Sequence, residues 1–288
     1  MTAVLCTPLR IERAALRRAG RSMRVVHTGM GPRRAAATAR ALSRGTDPVL
    51  VAGVGGGLAS QVRPGDVVVA DEVRGRGAPV PIRSAPLLAG ALRRLGLTVH
   101  VGPIVSSPRI AAGRARRALA VDGALAVDME SAELAVVAGV PFAVVRAIVD
   151  SVDHPLHHPG TPGRGLVALR TLRASVPALE QWAAATGPRE VVPAEEADLV
   201  LVVGAPSSSH ARRLVERTER AGVPIHRVGV VDDIDLCWLA GVARIGLIAD
   251  PGLLDEVVNC LRGLGPVTAR EPRLIDEDLT FALTQEVI

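Results

Sequence analysis

Four short segments of this chain bring together residue types that carry chemistry. They are TGMGP at positions 28–32, AGVGGGL at 52–58 with RPGDVVVADEV after it at 63–73, VDMESAELA at 127–135, and VVRAIVDSVD at 144–153. A glycine-rich turn after a strand lets backbone N–H groups converge on an anion, and it equally well makes a plain tight turn. Acidic side chains at strand ends, here Asp128, Glu130 and Asp150, suit proton transfer or stabilisation of a cation. Asp128 and Glu130 also suit the bland task of capping the helix that starts beside them. His154, His157 and His158 are crowded into DHPLHHPG. The prolines and glycine there prevent one helical face from presenting them to a metal, so they read as a loop over the site, and no metal is expected.

Positioning these groups takes an α/β framework. Runs rich in Val, Ile and Ala predict strands at 4–6, 24–28, 49–54, 67–70, 99–105, 124–129 and 142–149, and helical periodicity falls between them at 32–43, 86–95, 110–120 and 130–138. A long helix over 164–185 closes this part. The alternation predicts a mostly parallel or mixed sheet flanked by helices. TGPREVVPAEEA at 186–197 then shifts to Gly, Pro and acid and reads as a linker. Beyond it strands at 199–203, 225–228 and 244–248, with helices at 208–221 and 253–261, read as a smaller βαβαβ unit. Two domains follow, at 1–190 and 191–288.

Composition narrows the function classes. All 34 basic residues are arginine, and their distribution is lopsided: residues 1–190 hold 25 Arg against 13 acidic residues, residues 191–288 hold 9 Arg against 16. The two parts therefore attract one another. The arginines are scattered and lack aromatic neighbours on which bases stack, which argues against nucleic acid as a partner. No apolar run approaches the ~18 residues of a membrane span, and the N-terminus reads as a strand feeding an amphipathic helix, which points to the cytoplasm. Cys6, Cys237 and Cys260 have no CxxC spacing, so neither a disulfide framework nor a zinc site is expected.

In their order and spacing, the four segments resemble the purine nucleoside phosphorylase and nucleosidase family over residues 3–183. They are most similar to the phosphorylases associated with hopanoid biosynthesis, where DMES is followed by VRAI-x-D. The resemblance implies cleavage of the N-ribosyl bond of a purine nucleoside or an adenosylated lipid. It assigns Met129 to the sugar face, Glu130 to the ribose hydroxyls and Asp150 to general acid catalysis. Glu12 falls where the family's nucleosidases hold a water-activating Glu, although a surface Glu in an Arg-rich helix reads equally well. Phosphate is expected as the co-substrate, against Gly29, Gly31, Gly55 and Gly56 with Arg33 as charge partner. No cofactor is expected, and a homo-oligomer is. The usual Arg and Ser of the family's phosphate segment are absent from AGVGGGL, as is an aromatic in SSPRIAAG at 106–113.

ADLVLVVGAPSSSHARRL (197–214), VDDIDLCWLAGV (231–242) and DEDLTFAL (276–283) resemble the C-terminal third of LytB-type 4-hydroxy-3-methylbut-2-enyl diphosphate reductases. There Ser208 and Ser209 match serines of a diphosphate-binding turn, and His210 stands in place of Asn. The upstream cysteine segments that hold the reductase's iron–sulfur cluster are missing. The alternatives to base release are thus a reductase-related protein of isoprenoid metabolism and a non-catalytic ligand binder; hydrolysis is the alternative to phosphorolysis.

Overall fold

The computed structural model describes residues 2–136, 139–204, 209–249 and 251–269. Its first part runs β1 (Val4–Thr7), α1 (Arg10–Ala15), β2 (Arg24–His27), α2 (Pro32–Leu42), β3 (Val49–Gly57), β4 (Val67–Val69), β5 (Glu72–Arg74), β6 (Val80–Pro81), α3 (Ala85–Arg94), β7 (Val99–Val101), β8 (Ile104–Ser106), α4 (Gly113–Leu119), β9 (Ala126–Asp128), α5 (Ser131–Leu134), β10 (Phe142–Asp150) and α6 (Thr161–Ala184). The second runs β11 (Arg189–Val191), β12 (Leu199–Val203), α7 (Ser209–Arg220), β13 (Ile225–Val228), α8 (Leu236–Leu239), β14 (Arg244–Ala249), α9 (Pro251–Arg262) and β15 (Val267–Ala269).

Strands β1 to β10 form one curled mixed sheet, in which β3 is the pivot. Its first residues pair in parallel with β1, its whole length pairs in parallel with β10, and Gly56 and Gly57 pair antiparallel with β9. The side-chain period of two sorts this sheet into two cores. Leu5, Leu50, Val145 and Ala147 face α3 and α6, whereas Val4, Val49, Val144 and Ile148 face α2 and α5. A bulge between Ile148 and Asp150 ends the β10 register, and such irregularities re-aim the side chain that follows.

The second sheet has five parallel strands in the order β13-β12-β14-β11-β15. It corrects the expected linker: Arg189–Val191 is a strand set between β14 and β15, because its Val pairs with the apolar run of β14. Buried Arg189 then ties the two parts by donating to the carbonyls of Ala185, Gly187 (3.0 Å) and Leu239 (2.9 Å). The expected strand at 99–105 is also two strands. Gly102 and Pro103 break it, so that β7 pairs with β4 while β8 pairs with β5 and β9. The helix expected at 110–120 starts at Gly113, after an extended Ala112, and of the one expected at 130–138 the described residues show α5, with 137 and 138 outside them.

Helix α3 carries the joint between the two sheets. Leu87, Leu88 and Leu92 share one apolar core with Val231, Ile234 and Leu236. Gly90 sits where a Cβ would lie 1.9 Å from the carbonyl oxygen of Asp232. In a free helix, Gly→Ala gains about 1 kcal/mol. Here overpacking reverses the sign: Gly90→Ala loses about 1–3 kcal/mol in urea unfolding of the full chain. A gain in stability would show that the two parts do not pack together in solution.

Candidate active site

Arg146 sits in the middle of β10, a strand buried on both faces, and its side chain is fully buried. A buried guanidinium is tolerated only when carboxylates and hydrogen bonds replace its water. Asp128, at the end of β9, accepts from its Nε (2.9 Å) and Nη2 (2.5 Å), and Glu130 Oε2 lies 3.7 Å from Nη2. Gly53 makes the room for this arrangement: a Cβ there would lie 2.6 Å from Arg146 Nη1 and 2.8 Å from Glu12 Oε1. Nη1 has no protein hydrogen-bond partner, although it is buried.

The surrounding carboxylates are held from several elements. Asp128 accepts from Ser106 Oγ at 2.5 Å and from Ser131 Oγ, and its Oδ1 also accepts from the N–H groups of Glu130 and Ser131, both at 3.3 Å. The capping task thus falls to Asp128 and leaves Glu130 available. Burial alone would raise Asp128, but the charge of Arg146 and these hydrogen bonds hold its carboxyl below the usual range. Glu130 accepts from the Gly31 N–H at 2.7 Å; burial pushes its carboxyl up against the pull of Arg146. Glu12 lies inside the protein, not on its surface. Its Oε1 accepts from Val54 N at 2.7 Å, and its Oε2 accepts from Leu9 N at 2.7 Å and Thr7 Oγ1 at 3.2 Å. Burial raises its carboxyl as well.

A cavity of about 170 Å³ opens over this cluster and runs to Asp150. Glu12, Met129 and Glu130 line one end with Gly55 and Gly56 alongside, and Asp150 and Arg116 line it too. Four residues of extended strand span roughly 13 Å, so Asp150 lies well along β10 from Arg146, which is buried beneath the lining and is not part of it. Asp150 is buried and paired with Arg116 Nη2 from α4. Burial raises its carboxyl, while Arg116 first, then Arg164 and His157, oppose the rise. A larger cavity of about 540 Å³, beside Arg21, Arg170 and Arg173 on α6, contains no such pair of carboxylate ends.

Six of the sequence-derived residues thus meet at one cleft: Glu12, Gly55, Gly56, Met129, Glu130 and Asp150. Gly29 and Gly31 do not line it. Met30 between them does, and the N–H of Gly31 is already engaged by Glu130. Arg33 is exposed in the first turn of α2, away from the lining. The histidine loop contributes Leu156 to the cleft, with His154 hydrogen-bonded to Ser151 (3.1 Å). Ser208 and the DEDLTFAL segment lie outside the described residues, and Ser209 and His210 open α7. Sequence reasoning missed Arg116 and Arg146. The signal for Arg146 was present as a lone charge in an otherwise apolar nine-residue strand.

A curled mixed sheet of this kind, flanked by helices, is the fold of nucleoside phosphorylases and nucleosidases. The family model of the Phosphorylase superfamily matches residues 9–163, more than half of the chain, and the protein belongs to that superfamily. Solved structures with this fold include the 5′-methylthioadenosine/S-adenosylhomocysteine nucleosidase of Helicobacter pylori, 18% identical over 62% of this chain and 97% of that one, with a TM-score of 0.52. The corresponding nucleosidase of Neisseria meningitidis is 22% identical over 62% and 97% (TM-score 0.51), and the futalosine hydrolase of Helicobacter pylori 18% over 62% and 96% (TM-score 0.52). A second family model, LytB protein, matches residues 189–261. There the chain is 38% identical over 96 residues to 4-hydroxy-3-methylbut-2-enyl diphosphate reductase 2 of Mycobacterium bovis, covering 32% of this chain, and 40% identical over 94 residues to the reductase of Methylibium petroleiphilum, covering 31%. The chain spans only 29% of the length of each of these reductases.

Removing the central cation exposes the cost of the cluster. Arg146→Met leaves the carboxylates of Asp128, Glu130 and Glu12 buried without a counter-charge, a loss of about 3–5 kcal/mol. Their pKa values then rise above the unfolded ones, so the folded variant binds more protons than the unfolded chain. Its stability therefore falls as pH rises through the elevated values. Urea unfolding at about pH 5 and about pH 8 should show the larger deficit at the higher pH. An equal deficit at both would mean that these carboxylates do not depend on Arg146.

Proposed function

We propose that the protein cleaves the N-ribosyl bond of a purine nucleoside with water as the acceptor. One observation carries the reading: a single cleft lined by Glu12 and Glu130, which the buried Arg146 underlies, and by a buried Asp150. Heterolysis puts positive charge on the sugar and negative charge on the departing base, and the two ends answer those two charges. Glu130, fixed by the Gly31 N–H and Arg146, receives the ribose hydroxyls, with Met129 against the sugar. The electron pair of the C1′–N9 bond leaves with the base, and Asp150 gives its proton to purine N7. The water oxygen bonds to C1′ and its proton passes to Glu12, so the products are a free sugar and a neutral base. Burial pushes the carboxyl of Asp150 upward, the direction that this step needs.

Water rather than phosphate follows from charge. At the acceptor end Glu12, Asp128 and Glu130 surround one guanidinium, and this excess of negative charge repels a phosphate dianion. Glu12 lines the cleft and is the acceptor that a water there would meet. Phosphorolysis is the second reading, favoured by the unpartnered Nη1 of Arg146 beside Gly53. Met30 and Ile110, both exposed at the rim, suit an apolar substituent on the sugar, which keeps a nucleoside-linked lipid of the hopanoid type within the proposal. For the LytB-like part we propose a structural or ligand-binding task. Cys6 lies in the first sheet's core and Cys260 in the core around the second, while Cys237 is exposed, so anaerobically prepared protein should carry no stoichiometric iron and sulfide.

Chromatography of released base provides the test. Asp150→Asn and Glu130→Gln should each slow release by about two to four decades. Release by the wild-type protein should run at full rate without phosphate, lose that rate in Glu12→Gln, and decline as pH rises through the elevated value of Asp150. Release that is negligible until phosphate is added, with a sugar 1-phosphate as product, would establish phosphorolysis instead.

A further inference from the structure

The base end of the cleft holds a residue that the reaction as described does not use. Arg116 is buried in α4 and lines the cleft beside Asp150. Its Nε faces the carbonyl of Ala111 (3.4 Å), Nη1 that of Gly57 (3.3 Å), and Nη2 the Oδ2 of Asp150. Gly56 permits this close approach, since a Cβ there would lie 2.8 Å from Arg116 Nη2 and 3.1 Å from Asp150 Oδ1. A guanidinium has five N–H donors and no acceptor. Three are engaged, which leaves two for a ligand, and the carboxyl of Asp150 keeps Oδ1 for the same ligand.

Purines differ on the edge that this pair would meet. A 6-oxopurine presents two neighbouring acceptors, N7 and O6, whereas a 6-aminopurine presents the acceptor N7 and a donor at N6. A lone aspartic acid matches the second pattern, giving a proton to N7 through one oxygen and accepting from N6 through the other. In this protein Arg116 already donates to the second oxygen. The position beside it presents the free N–H donors of the guanidinium, which compete with an N–H of the ligand.

Building on the proposed N-ribosyl cleavage, we propose that Arg116 is a specificity-determining residue that selects 6-oxopurine nucleosides, of the inosine and guanosine type, by donating to O6 while Asp150 serves N7. A 6-amino group there sets N–H against N–H and leaves buried donors unpaired, the kind of mismatch that sites reject most strongly. This narrows the substrate away from the adenosylated compounds expected from the sequence.

The experiment is the ratio of kcat/KM for inosine to that for adenosine, in the full-length protein and in Arg116→Met and Arg116→Gln. A ratio of two rates in one preparation does not move when a variant merely folds less well. Equilibrium dialysis of free hypoxanthine and adenine reads the same discrimination without turnover. The wild-type protein should favour the oxo compounds by about tenfold to a hundredfold in both measurements. Arg116→Met should bring the ratio near unity, and Arg116→Gln, whose amide still offers a donor, should fall between. Adenosine cleaved as well as inosine by the wild type, or a ratio unmoved in both variants, overturns the assignment to Arg116 alone. Release of no base from either nucleoside overturns the cleavage reading, and this assignment with it.

Discussion

A guanidinium with no access to water organises the first part of this molecule. Arg146 occupies the centre of a strand buried on both faces, where an uncompensated charge is prohibitive. Its neighbours are arranged accordingly. β9 ends at Asp128, the serines of β8 and α5 complete that carboxylate's hydrogen bonds, and β3 places Gly53 where any side chain would collide with the pair formed by Arg146 and Glu12. Because β3 pairs with β1, β9 and β10, displacing the charge disturbs the register of three strand pairs. The same interactions that make the charge tolerable also fix Glu130 and Glu12 in the lining of the cleft, so fold and site are one electrostatic problem.

The bulge after Ile148 separates a second environment from the first. Asp150 ends the strand in a buried position whose effect on acidity is opposite to that on Asp128, since burial prevails over a single ion pair at Asp150 while several partners prevail over burial at Asp128. Two carboxylates a few strand positions from one guanidinium thus take opposite protonation tendencies, the condition for acid chemistry at one end and charge stabilisation at the other.

Much of this was legible in the sequence. Apolar runs placed Leu199–Val203 and Ile225–Val228 without error and β1, β2, β4, β9 and β10 to within two residues, because buried strands advertise themselves by composition. Glu130, Met129 and Asp150, which share the cleft lining, stand out through motif context, and Glu12, also in the lining, through its position. Arg116 was not legible: GRARRAL offers three arginines, and only the tertiary path of α4 decides which one turns inward. Arg146 escaped notice because a strand pattern treats a charge as an interruption. Arg189–Val191 looked like a linker, since flanking Gly and Pro outweighed a short β-branched run that finds its partners only in tertiary structure. The charge asymmetry between the two parts is realised at their joint, where Arg93 pairs with Asp232 at 2.5 Å and Arg94 approaches Asp235 at 3.9 Å.

The central claim is that one cleft grips a purine nucleoside at both ends. A crystal structure of the full-length protein with a purine C-nucleoside, whose carbon–carbon glycosidic bond resists cleavage, tests it most directly. The ribose hydroxyls should lie within hydrogen-bonding distance of Glu130, with the six-membered edge of the base turned toward Asp150 and Arg116. A ligand bound elsewhere, or one reversed in the cleft with its base against Arg146, would contradict that claim.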